Sequence, residues 1–272
     1  MTDLPVSVLE RIAAALERLA PAPIASADPL AHPAYLWRDG VLRPVRGFAP
    51  LPLDLLQGLD RQREALLTNL TRLAEGHAAQ DVLLWGARGT GKSALVKASV
   101  AAVQAARPGR LALVSVDTLD SLPTLFALLE GVDRAFALFI DDLGFDEAGE
   151  ARKLRSLLDG GAEARPAHVR LLVTANRRHL LPRDLSEQDS AINPRDVVDD
   201  QLALADRFGL SLGFHALDQN GYLAIVRAYT ERHDLPFDGA EAVHWATRRG
   251  SRSGRVAWQY IVDLAGRMER VL

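Results

Sequence analysis

The sequence predicts an α/β fold in which a five-stranded parallel sheet is followed by a small helical domain. Short apolar runs alternate with helical patterns between residues 81 and 214, which is typical of a parallel sheet covered on both faces. A glycine-rich turn connects the first apolar run to its helix, and after Phe214 only helical patterns follow. We therefore expect an N-terminal arm at 1–46, an α/β domain at 47–215 and a helical domain at 216–272.

The N-terminal arm contains a predicted amphipathic helix and a predicted hairpin. Apolar residues recur at helical spacing from Val8 to Leu19, and Pro21 ends the pattern. The hairpin covers residues 34–45 and turns at Asp39 and Gly40. We expect the helix to pack on its own domain, and binding to a partner is the alternative.

The α/β domain begins with a predicted helix that starts near Asp60. The five predicted strands cover residues 81–85, 110–116, 135–140, 169–175 and 208–214. Helices are predicted between them at 92–106, 122–132 and 150–161. Residues 182–200 are polar and contain prolines, so we expect an exposed loop ahead of a short helix.

Composition excludes several classes of function. The chain has 272 residues, 48% of them hydrophobic and 25% charged, with a formal net charge of −3. That charge gives no general attraction to nucleic acids or anionic membranes. Without cysteine there are no disulfides, thiolate zinc sites or cysteine nucleophiles. Charges interrupt every apolar stretch, so we expect a cytoplasmic protein without a membrane partner.

The glycine-rich turn has the residues of a phosphate-binding loop. GARGTGKS matches G-x-x-x-x-G-K-[ST] at every defined position, between a strand and a helix. Glycines let successive backbone N–H groups point at phosphate oxygens, and the helix adds its positive end. The residues expected to bind nucleotide here are Gly86, Ala87, Arg88, Gly89, Thr90, Gly91, Lys92 and Ser93.

Two of these side chains have specific expected roles. Lys92 reaches the terminal phosphates as a point charge, and the Ser93 hydroxyl is a ligand for Mg²⁺. The glycines run G-x-x-G-x-G, which argues against a dinucleotide-binding turn. A chance glycine turn is the remaining alternative, and the order strand, loop, helix argues against it.

The predicted strand at 135–140 ends in two acids, Asp141 and Asp142. A phosphate-binding loop of this type needs an acid at a strand end near the magnesium. We expect Asp141 to hold Mg²⁺ through water and Asp142 to polarise the attacking water. The alternative is that both acids only cap a loop.

With these two motifs in place, residues 47–272 resemble an AAA+ ATPase. The strand ending in VTANRR resembles the sensor 1 strand, which implies that Asn176 orients the attacking water or the γ-phosphate. LADRFGL is similar to the segment that ends in an arginine finger, so Arg207 is implied to reach the nucleotide of a neighbouring subunit. RSGRVAWQYI resembles sensor 2, which implies that Arg255 contacts the γ-phosphate. Residues 53–66 resemble the segment that lines the adenine pocket.

The combination of motifs comes closest to a bacterial AAA+ family of unassigned function. This resemblance implies ATP and Mg²⁺ as cofactors and Mg²⁺-dependent ATP hydrolysis, coupled to remodelling or loading of a protein or nucleoprotein partner. A finger supplied by a neighbour implies a homo-oligomer. The alternatives are a nucleotide-dependent assembly switch that does not hydrolyse ATP and a small-molecule kinase, against which the sensor motifs argue.

The sequence leaves three alternatives unresolved. Arg177 and Arg178 directly follow Asn176 and compete with Arg207 for the finger role. The arginine-rich residues 248–255 could contact nucleic acid, or they could only surround Arg255 and solvate a helix start. Most AAA+ motors have Glu where this chain has Asp142, which is shorter by about 1.5 Å, and this difference points to slow turnover.

Overall fold

The computed structural model describes residues 6–19, 25–143, 148–160, 165–176 and 205–272. Among them the strands are β1 (Ala34–Arg38), β2 (Val41–Pro44), β3 (Val82–Gly86), β4 (Leu111–Val116), β5 (Ala135–Ile140), β6 (Val169–Asn176) and β7 (Leu210–Phe214). The helices are α1 (Val6–Leu19), α2 (Asp60–Ala74), α3 (Lys92–Ala106), α4 (Leu122–Leu129), α5 (Ala148–Leu158), α6 (Gln219–Arg232), α7 (Gly239–Arg248) and α8 (Gly254–Arg267). A short 3₁₀ helix covers Leu53–Leu55.

The strands form one sheet of seven in the order β2-β1-β4-β5-β6-β3-β7. All neighbours are parallel except the β1–β2 hairpin, which confirms the α/β class. The expected count of five strands is too low, because β1 pairs with β4, for instance Tyr35 with Val114. The hairpin that the sequence placed in an N-terminal arm therefore forms one edge of the sheet.

The sheet is covered on both faces, as its continuous apolar strands require. All six residues of β5 are buried. On one face Leu66 of α2 and Leu95 of α3 pack in a cluster with Leu84. On the other face Leu125 of α4 and Leu154 of α5 pack in a second cluster. Side chains of β3, β4, β5 and β6 enter both clusters.

The helical C-terminal region, residues 216–272, is called the lid below. Its three helices enclose a third apolar cluster that includes Tyr222, Tyr260 and Ile261. Each of these helices has an N-cap side chain that accepts a hydrogen bond from a backbone N–H of the first turn: Asp218 for α6, Asp238 for α7 and Ser253 for α8. These caps fix where each helix begins. Leu55 of the 3₁₀ helix belongs to the same cluster, so the lid packs against the segment that precedes β3.

None of the helices in the described ranges has the length and apolar character needed to cross a bilayer. The expected loop at 182–200 lies outside the described residues.

Candidate functional site

The glycine-rich loop lies at the carboxyl edge of the parallel sheet, between β3 and α3. Helix α3 begins at Lys92, and Gly91 before it has a φ of 95°, a conformation that favours glycine. Gly89 also has a positive φ of 76°, and there is no room for a side chain because a Cβ would lie 2.8 Å from Ser253 Cβ. The loop therefore folds as the sequence motif predicts, with the lid against its tip.

Lys92 is buried inside this loop, with 7% of its surface exposed. Its ammonium donates to the carbonyl oxygens of Gly86 and Ala87, each at 2.8 Å. An ammonium has three N–H donors, so one remains available to a ligand after these two bonds are made. Burial holds the pKa of Lys92 below its usual value, although the nearby carboxylates of Asp142 and Asp141 act in the opposite direction.

The first acid of the pair, Asp141, is held by two hydroxyl groups. Ser93 Oγ donates to Asp141 Oδ1 at 2.6 Å, and Thr174 Oγ1 donates to the same oxygen at 2.7 Å. The structure thus brings together the two residues that the sequence assigned to magnesium, Ser93 and Asp141. A hydroxyl and a carboxylate are oxygen donors of the kind that Mg²⁺ prefers, so the residues present fit this ion.

The second acid, Asp142, has a left-handed backbone with a φ of 55°. Its N–H donates to Thr174 Oγ1 at 2.7 Å. The amide Nδ2 of Asn176 donates to Asp142 Oδ1, and Arg88 Nη2 lies 3.6 Å from Asp142 Oδ2. Asp142 and Asn176, both expected at the water-activating position, are therefore in direct contact.

A cleft of about 530 Å³ lies between the loop, the acids and the lid. Part of its lining consists of charged or hydrogen-bonding side chains, among them Lys92, Ser93, Asp141, Asp142 and Asn176. Another part is apolar and consists of Leu51, Leu55, Leu56, Leu59, Leu217, Ile225, Tyr229 and Trp258. A lining that combines charged and apolar side chains suits a ligand that carries both charged and apolar groups.

Arg255 lines the same cleft from the first turn of α8. The backbone there is joined to the loop, because Gly254 N–H donates to Gly89 O at 3.0 Å. The residue expected at sensor 2 therefore lies beside the phosphate-binding loop.

Arg207 is placed differently. Its Nε donates to Asp159 Oδ1 at 2.8 Å and to Asp159 Oδ2 at 3.0 Å, beyond the end of α5. It is absent from the described lining of the cleft in its own chain. Arg177 and Arg178, the competing finger candidates, lie outside the described residues.

The sequence did not single out Thr174 or the two aromatic residues of the cleft lining, Tyr229 and Trp258. Thr174 left a signal, as a polar residue within the apolar strand LLVTAN. Tyr229 and Trp258 gave no such signal in the sequence. Their ring centroids lie 5.2 Å apart only because α6 and α8 pack together.

Comparisons with known proteins agree with this architecture. Residues 30–268 match the family described as a protein of unknown function (DUF815). No curated protein matches the chain.

Several solved structures have a similar fold. A mutant form of RuvB of Thermotoga maritima is 18% identical with a TM-score of 0.53, over 82% of this chain and 68% of that one. ORC2 of Aeropyrum pernix, in its ADPNP–ADP complexes, is 17% identical with a TM-score of 0.54, over 83% of this chain and 67% of that one. ORC1 of Aeropyrum pernix, in complex with DNA, is 16% identical with a TM-score of 0.52, over 84% of this chain and 68% of that one. At these identities the similarity shows a common fold. Because the family match covers most of the sequence, the chain belongs to this family of proteins of unknown function, and it has the AAA+ fold.

Proposed function

We propose that this protein binds ATP with Mg²⁺ and hydrolyses it slowly, as an oligomer. The observation that carries the proposal is the meeting of two distant motifs, in which Ser93 of the loop is hydrogen-bonded to Asp141 at the end of β5. A phosphate-binding loop alone supports nucleotide binding. A loop joined to an acid pair and to Asn176 supports hydrolysis as well.

The loop and its lysine would hold the triphosphate. Backbone N–H groups at the start of α3 and the partial positive charge of that helix end favour an anion. Lys92 is already buried beside the cleft, so its charge loses little further hydration when a phosphate arrives. Ser93 and Asp141 would hold Mg²⁺, which when bound supplies charge neutralisation at the β- and γ-phosphates.

Asp142 and Asn176 would act on the attacking water. The carboxylate of Asp142 accepts a hydrogen bond from this water and so orients its lone pair toward the γ-phosphate. Asn176, bonded to Asp142 Oδ1, limits the rotation of that carboxylate and can itself contact the water or the phosphate. Catalysis of this kind depends on positioning and charge stabilisation.

Two arginines complete the proposed site. Arg255 would contact the γ-phosphate from the lid, which would couple nucleotide state to lid position. Arg207 would enter the site of a neighbouring subunit, since in its own chain it is paired with Asp159. Activity would therefore require oligomerisation.

We propose that ATP hydrolysis is coupled to remodelling or loading of a protein or nucleoprotein partner. Two similar folds point this way: one structure is of RuvB, a Holliday junction branch migration motor, and another holds ORC1 in complex with DNA. The second candidate is a switch that changes assembly on binding ATP. It is favoured by the short Asp142, which reaches the water less far than Glu.

The first experiment measures ATPase rate as a function of protein concentration for the wild type, Arg207→Ala and Asp142→Ala. We expect a specific activity that rises with concentration, and a loss in both variants while ATP affinity survives. Arg107→Ala is the control, because it removes another exposed arginine that pairs with an acid, Glu75. Tight ATP binding with no hydrolysis at any wild-type concentration would favour the switch.

A further inference from the structure

We propose that the side chain of Arg88 is a positioning residue for Asp142, so that hydrolysis depends on a second loop cation beside Lys92. This inference rests on the ATPase function proposed above. The loop motif allows any residue at position 88, so the motif itself does not assign a function to this side chain.

The contacts place Arg88 on one side of the carboxylate and Asn176 on the other. Arg88 Nη2 lies 3.6 Å from Asp142 Oδ2, and the Asn176 amide donates to Oδ1. Each carboxylate oxygen thus has its own partner, one from the loop and one from β6. All three residues line the cleft.

The backbone of Asp142 is already fixed, so only its side-chain rotation remains to be set. Its N–H is bonded to Thr174 Oγ1, and the next N–H, of Leu143, donates to Thr174 O at 2.9 Å. The φ of 55° belongs to a region that Asp tolerates better than most residues. The two partners of the carboxylate therefore decide where it points.

The pair contributes little to folding, since both side chains are largely exposed, 79% for Arg88 and 59% for Asp142. Exposed ion pairs have small effects on stability. A nucleotide in the cleft would exclude water from this pair and strengthen the attraction. The energetic consequence of the contact is then expected in the reaction, and not in the stability of the free protein.

Because the side chain of Asp142 is short, its orientation depends more strongly on the contact with Arg88. A Glu has one more methylene, about 1.5 Å of reach, and can extend toward the water. A shorter acid has less freedom to find that position, so a charged neighbour that fixes its rotation has a larger effect.

The experiment is a double-variant cycle with Arg88→Ala, Asp142→Asn and the combination. Asn keeps the size of Asp and tolerates the left-handed backbone, but it has no charge for Arg88. We expect Arg88→Ala to lower kcat roughly ten-fold when Asp142 is present and less than about two-fold in the Asp142→Asn background. Arg88→Lys should restore part of the rate, because the charge is kept.

A second readout is the affinity for a non-hydrolysable ATP analogue, measured by fluorescence. With Asp142 present, Arg88 is occupied, so Arg88→Ala should weaken the affinity less than about three-fold. In the Asp142→Asn background Arg88 can turn to the phosphates, and its removal should weaken the affinity roughly ten-fold. Arg38→Ala is the control, since it breaks another exposed pair, with Asp117, outside the cleft lining.

Equal effects of Arg88→Ala in both backgrounds would overturn the inference and indicate that Arg88 acts directly on the nucleotide. A rise in kcat on Arg88→Ala would overturn it as well, because the pair would then be inhibitory. If the wild type bound the analogue but showed no hydrolysis, the proposed ATPase function would fail first, and this role of Arg88 with it.

Discussion

Thr174 Oγ1 lies 2.7 Å from Asp141 Oδ1 and donates a hydrogen bond to it across two neighbouring parallel strands. The same oxygen of Thr174 accepts the backbone N–H of Asp142. One hydroxyl from β6 therefore fixes the carboxylate of the first acid and the backbone of the second. The geometry of both acids depends on a residue that need not contact nucleotide or metal itself.

We expect Thr174→Val to lower the ATPase rate at least about ten-fold, because it removes a group that holds Asp141, the carboxylate that we propose to bind Mg²⁺. It also leaves the Asp142 N–H without its acceptor, which should lower the free energy of unfolding by about 1–3 kcal/mol. The measurements are steady-state hydrolysis and urea unfolding. Thr230→Val is the control, since Thr230 is equally buried but donates to Arg227 O within the lid. A wild-type rate in Thr174→Val would show that Asp141 does not need this contact.

A finger that acts on the neighbouring subunit predicts complementation between inactive variants. Lys92→Ala should bind ATP poorly but still offer Arg207, whereas Arg207→Ala should bind ATP but lack the finger. Each variant alone should be nearly inactive, and an equimolar mixture should recover a substantial part of the wild-type activity. The measurement is ATPase rate against mixing ratio at fixed total protein.

The matched control is a mixture of Lys92→Ala with a variant that carries both substitutions, which should stay inactive. If the mixture of single variants showed no recovery although both proteins assemble, Arg207 would not act between subunits. Its pairing with Asp159 would then be its main role.

The sequence predicted which residues of the candidate site lie close together better than it predicted the edge of the sheet, and the reason is physical. The loop is a local structure, in which glycines at 86, 89 and 91 and the helix after them determine the backbone. Asp141 and Asn176 follow or end apolar runs, and parallel strands bring their carboxyl ends to one edge. The meeting of the loop, the two acids and Asn176 could therefore be expected without any knowledge of packing.

Contacts between residues that are distant in the chain could not be predicted from the sequence. The hairpin at 34–44 has a turn signal, but nothing local says that β1 pairs with β4, a partner more than seventy residues away. The aromatic part of the cleft lining is similar, since Tyr229 and Trp258 belong to separate helices and become neighbours only in the folded lid. The contact of Arg88 with Asp142 likewise joins two loops that are distant in sequence.

Gly89 tests whether the lid must touch the loop for nucleotide binding. A Cβ at this position would lie 2.8 Å from Ser253 Cβ, so Gly89→Ala must displace the start of α8, which carries Arg255. We expect ATP affinity to fall roughly ten-fold, as one charged contact to phosphate is lost. The measurement is titration with a fluorescent ATP analogue.

The control for backbone strain is Gly109→Ala. Gly109 has nearly the same φ, 75° against 76°, but nothing lies within 4 Å of its added Cβ. Both variants should lose about 1 kcal/mol of stability from the strained backbone, and only Gly89→Ala should lose affinity. Combining Gly89→Ala with Ser253→Gly should restore part of the affinity; equal affinity in all these variants would rule out a role for this contact.

Two buried tyrosines of the lid differ in one hydrogen bond and should respond differently to loss of the hydroxyl. Tyr260 donates to Glu241 Oε2 at 2.9 Å, whereas Tyr222 has no partner within the described part of the chain. Tyr260→Phe should lower the free energy of unfolding by about 1 kcal/mol, and Tyr222→Phe should leave it unchanged or raise it by up to about 1 kcal/mol. Urea unfolding near neutral pH measures both.

The same pair predicts how stability changes in alkali. Burial raises the pKa of Tyr222 from 10.0 to about 12; burial and the bond to Glu241 raise the pKa of Tyr260 further. A neutral tyrosine is thus favoured in the folded state, and its contribution is complete below the unfolded pKa and is lost as the pH rises through the folded one. Between about pH 10 and 12 the wild type should lose stability more steeply than Tyr222→Phe, in which one such group is absent. Parallel slopes for the two proteins would mean that the Tyr222 hydroxyl ionises as easily in the folded lid as in the unfolded chain.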